Sequence, residues 1–154
     1  MKLYRITDCS FVKDISGYGA WLHGGRWNSV GVPLLYTAQN SSLAQLEVLT
    51  RFAKTIPVPE LCLLVLDVPV RSSITIKKET LPLGWNSYLS PHFLKKIGDD
   101  FVRENKFLVL KVPSVVNPEE NNYLVNPAHK DFSKIKILKI TRLKIDRRLL
   151  LKRK

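Results

Sequence analysis

Five residue types along this 154-residue chain could do chemistry. Arg26 follows Gly24-Gly25. Paired glycines let a backbone bend closely around a bound group, and a guanidinium is a planar fork suited to phosphate or carboxylate. Tyr36 stands near the end of a short apolar stretch. Glu47 lies inside a helical pattern, about 40° around the axis from Leu43. From spacing alone the favoured reading of Glu47 is an i,i+4 ion pair with Arg51 on a solvated face. Ser114 follows Pro113 at the end of an apolar run, where sheets often present ligand-binding groups; the plainer alternative is a serine that opens a turn. His129 closes the polar-aromatic stretch 121–129, in which Asn126-Pro127 favours a turn. Its imidazole titrates near neutrality and can act as acid or base, although a single histidine is more often structural.

The familiar catalytic signatures are missing. Gly17-Tyr18-Gly19 lacks the third glycine of a dinucleotide fingerprint, and no phosphate-loop lysine motif or nucleophile elbow occurs. His23, His92 and His129 are far apart with no ligand spacing, so no metal site is expected.

These residues must be positioned by a mixture of strands and helices. Residues 3–6 start a sheet, and the glycine-rich segment 16–25 reads as a long loop running into Arg26-Trp27-Asn28. A brief strand follows at 34–37. Ser42 with Gln45 forms a capping box that opens a helix. Leu43, Leu46, Leu49 and Ala53 define its buried face, and it must stop by Thr55-Ile56 because Pro57 and Pro59 follow. The apolar run 61–66 is short enough to be a strand buried on both faces. Ser90 as N-cap, with Pro91 in the first helical position, introduces a helix through Glu104. Residues 107–110 form another strand that ends at Pro113-Ser114. Elements in this order, without regular alternation, predict an α+β fold in one domain over residues 1–154, the last six being a short basic extension.

Composition narrows the class. Hydrophobic residues at 45% and charged residues at 25% exclude a disordered chain. No apolar run approaches the roughly 20 residues of a spanning helix, and the N-terminal charges are not followed by a leader-like apolar segment. Two cysteines, Cys9 and Cys62, cannot build a disulfide framework or a metal cluster, so a reducing cytoplasm is the simplest setting. The net charge of +12 suggests an anionic partner, but +9 of it falls in residues 134–154. There Ile135, Ile137 and Ile140 are interspersed with Lys134, Lys136 and Lys139, the pattern of a half-buried strand with its lysines in water. That reading outweighs a nucleic-acid arm, since charge clusters alone are weak motifs and no RNA-binding aromatic signature is present.

Several motifs coincide in order along the chain. Tyr4-Arg5, Gly25-Arg26-Trp27-Asn28, Gly31-Val32-Pro33, and Tyr36-Thr37-Ala38 with the following Leu43-Ala44-Gln45-Leu46-Glu47 resemble the RES-domain family. So do Val112-Pro113-Ser114, the segment 122–129, and Ile145-Asp146-Arg147-Arg148-Leu149. The resemblance implies an ADP-ribosyltransferase-like fold with a split, mixed central sheet and flanking helices. It implies a toxin of a toxin–antitoxin pair that degrades NAD+ as substrate by phosphorolysis or hydrolysis, with no prosthetic group. Some relatives instead transfer ADP-ribose to a protein, and a nucleic-acid-binding or RNase toxin is a further alternative. The family's named arginine, glutamate and serine fall on Arg26, Glu47 and Ser114. Arg5 matches a second arginine and Tyr36 a pocket aromatic, while Asn126 and His129 fall in the matched segment as further binding residues. In these roles Arg26 and Arg5 hold the pyrophosphate, Tyr36 stacks on nicotinamide, Glu47 stabilises the ribose cation, and Ser114 with Arg5 offers a phosphate pocket. His129 contributes to the site or only orders the Asn-Pro turn. An Xre-type antitoxin is the implied partner, members commonly pair with themselves, and contact with nucleic acid is expected only through the antitoxin. Ile145 departs from the family, standing where an aromatic is common.

Overall fold

A computed structural model describes residues 1–52, 59–69, 71–87, 89 and 91–149. The strands are Lys2–Asp8 (β1), Leu35–Ala38 (β2), Leu61–Asp67 (β3), Ser73–Thr75 (β4), Val109–Pro113 (β5), Asn121–Val125 (β6) and Lys136–Leu143 (β7). The helices are Tyr18–His23 (α1), Ser41–Phe52 (α2) and His92–Glu104 (α3). All seven strands join one sheet in the order β4-β5-β6-β2-β1-β3-β7. Every neighbouring pair is antiparallel except β4 with β5, so the sheet is mixed and the α+β expectation holds.

The apolar alternation of the strands divides the core between the two faces. Leu3, Leu35, Leu64, Leu66, Val109 and Val125 belong to one cluster, closed over by Val12 and Leu108. On the other face Leu110, Val112 and Leu124 pack with Trp27, Leu34, and Leu94 and Phe101 of α3. Beside them Ala38 meets Leu43 and Ala44 of α2. The sheet is weakest in its middle. β1 and β3 share seven registered pairs, whereas β1 and β2 share only Tyr4 opposite Ala38. That opening is the split which the cleft occupies.

Several expectations are corrected. Residues 16–25 are not all loop, because α1 forms between two glycines of positive φ, Gly17 at +77° and Gly24 at +69°. A Cβ on Gly17 would lie 2.7 Å from the Leu34 backbone nitrogen, so this turn requires glycine. Asn40, not Ser42, caps α2: its Oδ1 accepts the Leu43 N–H at 2.7 Å. The buried stripe of α2 is Leu43, Ala44 and Val48, and Leu46 is 42% exposed. Its expected stop at 55–56 lies outside the described residues. Pro91 is the N-cap of α3 rather than its first turn, and Ser90 is outside the described residues. β4 and β6 were not anticipated. β7 forms as expected, yet Ile137, Leu138 and Ile140 remain 38–49% exposed, so it is wet on both faces rather than half-buried. Among the described residues it is an edge strand with only β3 beside it.

Cys9 and Cys62 are joined in a disulfide with Cα atoms 4.9 Å apart, so the expectation of a reducing compartment loses the support it drew from these cysteines. The bridge ties the end of β1 to β3, where Thr7 stands opposite Cys62 and the Cys9 N–H donates to the Glu60 carbonyl at 2.8 Å. Among the described residues no helix is long and apolar enough to cross a membrane, and no group of His, Cys, Asp or Glu could hold a metal ion.

Candidate active site

The opening between β1 and β2 forms a shallow cleft that is open to solvent. β1 lines it with Tyr4, Arg5 and Ile6, and β2 with Tyr36, Thr37 and Ala38. Ala44, Glu47 and Val48 of α2 and Asn122 of β6 complete the wall. Apolar walls with a few convergent polar groups are the usual lining of a small-molecule site.

Glu47 is the acidic centre of this wall. It stands one helical turn from Leu43 and three residues from Ala44, so it shares the stripe that packs on the sheet. Its Oε1 accepts hydrogen bonds from Ser114 Oγ at 2.8 Å and Asn122 Nδ2 at 2.5 Å. Glu47 therefore faces inward, and the i,i+4 pairing with Arg51 weighed for it falls on a side chain outside the described residues. Ser114 is fully buried directly after β5. Its oxygen also accepts the backbone N–H groups of Val116 and Asn117, both at 3.1 Å, so it starts a turn and holds the carboxylate at once.

Arg26 and Tyr36 are set by the loop after α1. The Tyr36 hydroxyl donates to Asn28 Oδ1 at 2.7 Å and accepts the Trp27 N–H at 3.0 Å. A Cβ at position 25 would fall 2.4 Å from that hydroxyl, which explains the glycine before Arg26. Asn28, fully buried, donates Nδ2 to the carbonyls of Ala20, Ser29 and Val32. From α3, Asp99 accepts both the Ser29 N–H at 2.9 Å and its hydroxyl at 2.7 Å. Arg26 Nη1 donates to the Ser87 carbonyl at 3.0 Å and the Trp85 carbonyl at 3.4 Å. Burial pushes the Arg26 guanidinium below its usual pKa, and the Glu47 carboxylate and Tyr36 push it back up. Arg5 Nη1 donates to the Tyr36 carbonyl at 3.3 Å, bridging the split.

The structure thus brings Arg5, Tyr36 and Glu47 to one cleft and seats Ser114 behind Glu47. Arg26 is electrostatically coupled to Glu47 from the neighbouring loop. Asn126 and His129 are used elsewhere. Asn126 Nδ2 donates to Asn105 Oδ1 at 2.9 Å, at the end of α3, and its Oδ1 accepts the Ala128 N–H at 3.0 Å. His129 Nδ1 accepts the Asp131 N–H at 3.1 Å. Both order the turn after β6. Asn122 is the residue that the sequence reading missed. Its signal was present in the unusual polar stretch at 121–123, where Asn122 and Leu124 alternate onto one strand face.

A helix-borne carboxylate facing a mixed seven-stranded sheet, with Arg5 in the same cleft, defines an α+β domain with a polar cleft beside its central strands. The chain matches the RES domain over residues 2–146 and belongs to that family. It is 38% identical over 151 residues to a protein of Photorhabdus laumondii named Toxin Res, with 97% of both chains covered. A Sphingobium protein named Prs ADP-ribosylating toxin is 35% identical, covering 90% of this chain and 88% of its own. Among solved structures, one from the M. tuberculosis MbcT–MbcA toxin–antitoxin complex shares the fold, with a TM-score of 0.71 and 18% identity. It covers 92% of this chain and 83% of its own.

Proposed function

We propose that this RES-domain protein is the toxin of a toxin–antitoxin pair and that it depletes NAD+ by cleaving the nicotinamide–ribose bond. The observation that carries the reading is Glu47, fixed by Ser114 and Asn122 in the wall of a cleft that also presents Arg5 and Tyr36. Cleavage sends the electron pair of the C1′–N bond to the nicotinamide ring and leaves an oxocarbenium-like ribose. A fixed carboxylate stabilises that cation and accepts a ribose hydroxyl. Arg5 and Arg26 counter the pyrophosphate, and the face of Tyr36, whose hydroxyl is anchored on Asn28, receives the flat nicotinamide cation. The acceptor then adds to C1′ with loss of its proton, giving ADP-ribose from water or its 1-phosphate from inorganic phosphate. The single Ser114 proton is committed to Glu47, so in a phosphate-binding role Arg5 acts without that hydroxyl. An Xre-type antitoxin occluding the cleft is the proposed partner, in the cytoplasm.

ADP-ribosylation of a protein is the second reading, favoured by the name of the Sphingobium relative. Incubation with labelled NAD+, with and without inorganic phosphate and with cell extract, separates the two. Free nicotinamide with soluble ADP-ribose or its phosphate is expected. Label retained on a protein supports transfer instead, and intact NAD+ in every arm overturns both.

A further inference from the structure

Glu47 receives two donors on the same oxygen. Ser114 Oγ and Asn122 Nδ2 both end on Oε1, and among the described residues no protein hydrogen bond falls on Oε2. The Ser114 hydroxyl has little choice, because its own oxygen accepts two backbone N–H groups. Asn122 is held as firmly from the backbone. It pairs with Ala38 of β2 on one side and Val112 of β5 on the other, so the strand, not the side chain, sets where its amide can reach. The charged or titratable groups of the cleft wall besides Glu47 are Tyr4, Arg5 and Tyr36, with Arg26 acting on the carboxylate from the loop. Of these, Arg5 donates to the Tyr36 carbonyl, Tyr36 to Asn28 Oδ1, and Arg26 to the carbonyls of Trp85 and Ser87.

We infer that Asn122 is a positioning residue. Together with Ser114 it pins Oε1 and turns Oε2 into the cleft as the one oxygen that meets the ribose. The inference rests on the proposed NAD+ chemistry for its substrate, but the geometry belongs to this chain. A carboxylate swinging about its last torsion would have to be oriented anew for each turnover, whereas one clamped at a single oxygen is aligned before the substrate arrives. A neutral amide is the fitting clamp. It supplies a donor without adding a cation that would compete with the developing ribose charge for Glu47.

The test compares N122D and N122A with the wild type. Asp is isosteric but cannot donate when ionised, and it sets a second carboxylate beside the first. Both variants are expected to lose roughly 10- to 100-fold in kcat, the scale of a misaligned catalytic group. KM for NAD+ should stay within about threefold, as expected when a group acts mainly in the transition state, and the melting temperature should be unmoved. A kcat near wild type in N122D overturns the inference. So does a rise in KM that accounts for the whole loss, since Asn122 would then bind substrate itself. Collapse of the melting temperature in both variants also overturns it, because the bond would then hold the fold. If the wild type leaves NAD+ intact, the proposed function fails separately. Growth arrest by wild type and N122D at equal protein level then decides the matter: equal arrest overturns the inference, and loss of arrest in folded N122D supports it.

Discussion

A single carboxylate with two fixed donors makes a sharp demand at the scale of one residue. Glu47→Gln keeps the shape of the side chain and removes its charge, so NAD+ cleavage should fall about 100-fold or more while folding is preserved. Quantifying released nicotinamide checks this, and near-normal turnover would remove Glu47 from the chemistry. Arg26 makes a different demand. A charged hydrogen bond to the pyrophosphate is worth enough that Arg26→Ala should raise KM by roughly 10-fold, at least as clearly as it lowers kcat. Steady-state kinetics that leave both constants in place would make Arg26 a clasp for the carbonyls of Trp85 and Ser87 and nothing more. Glu47 was legible through family motifs, but its orientation was not. Spacing on α2 offered Arg51 as a partner, and only the fold could show that β6 and the turn after β5 lie closer to the inward face. Asn122 stood out as part of a polar stretch, but its partner did not. Its role depends on a partner 75 residues away, and no local pattern encodes that distance.

The decisive contact at the scale of elements is the one between α3 and the arginine loop. Leu94, Gly98 and Phe101 form the buried stripe of the helix. A Cβ on Gly98 would come 1.7 Å from the Trp27 carbonyl oxygen, an impossible approach. Gly98→Ala must therefore push the loop carrying Arg26 away from α3 or tilt the helix. Overpacking of this kind costs about 1–3 kcal/mol, so thermal unfolding should move down. KM for NAD+ should rise with it, since Arg26 and the Tyr36 anchor move together; a stable variant with unchanged KM would show that the loop is not set by this contact. The two longer helices, α2 and α3, and the strands β1, β3 and β5 were legible because their apolar patterning is local, whereas the six-residue α1 was read as loop. β4 was not, being three residues long and paired in parallel across a long connection. The Cys9–Cys62 bridge was also beyond reach, because its cysteines are 53 residues apart and meet only through the β1–β3 register. In a chain-entropy account a loop of that length contributes about 4 kcal/mol when closed.

Part of the charge asymmetry of the whole molecule lies on its edge strand. β7 carries Lys136, Lys139 and Arg142, while the cleft lies beyond β3 and β1. Strands are spaced about 4.8 Å apart, so two intervening ladders put the edge roughly 10 Å from β1. That exceeds the Debye length of about 8 Å at physiological salt, and exposed charges at such a distance are largely screened. The charges on β7 therefore should not steer NAD+. They have a task of another kind, since β7 leaves Ile137, Leu138 and Ile140 partly exposed on a long strand whose outer edge has no neighbour among the described residues. Such an edge invites pairing with another copy, and lysines facing lysines prevent it. Replacing Lys136, Lys139 and Lys144 together by Gln separates the two ideas in one variant. KM for NAD+ should change by less than about twofold, because the site is screened from the edge. Light scattering should at the same time show concentration-dependent self-association that the parent lacks under the same conditions. A large rise in KM with no self-association would reverse the assignment and make the basic strand part of substrate capture.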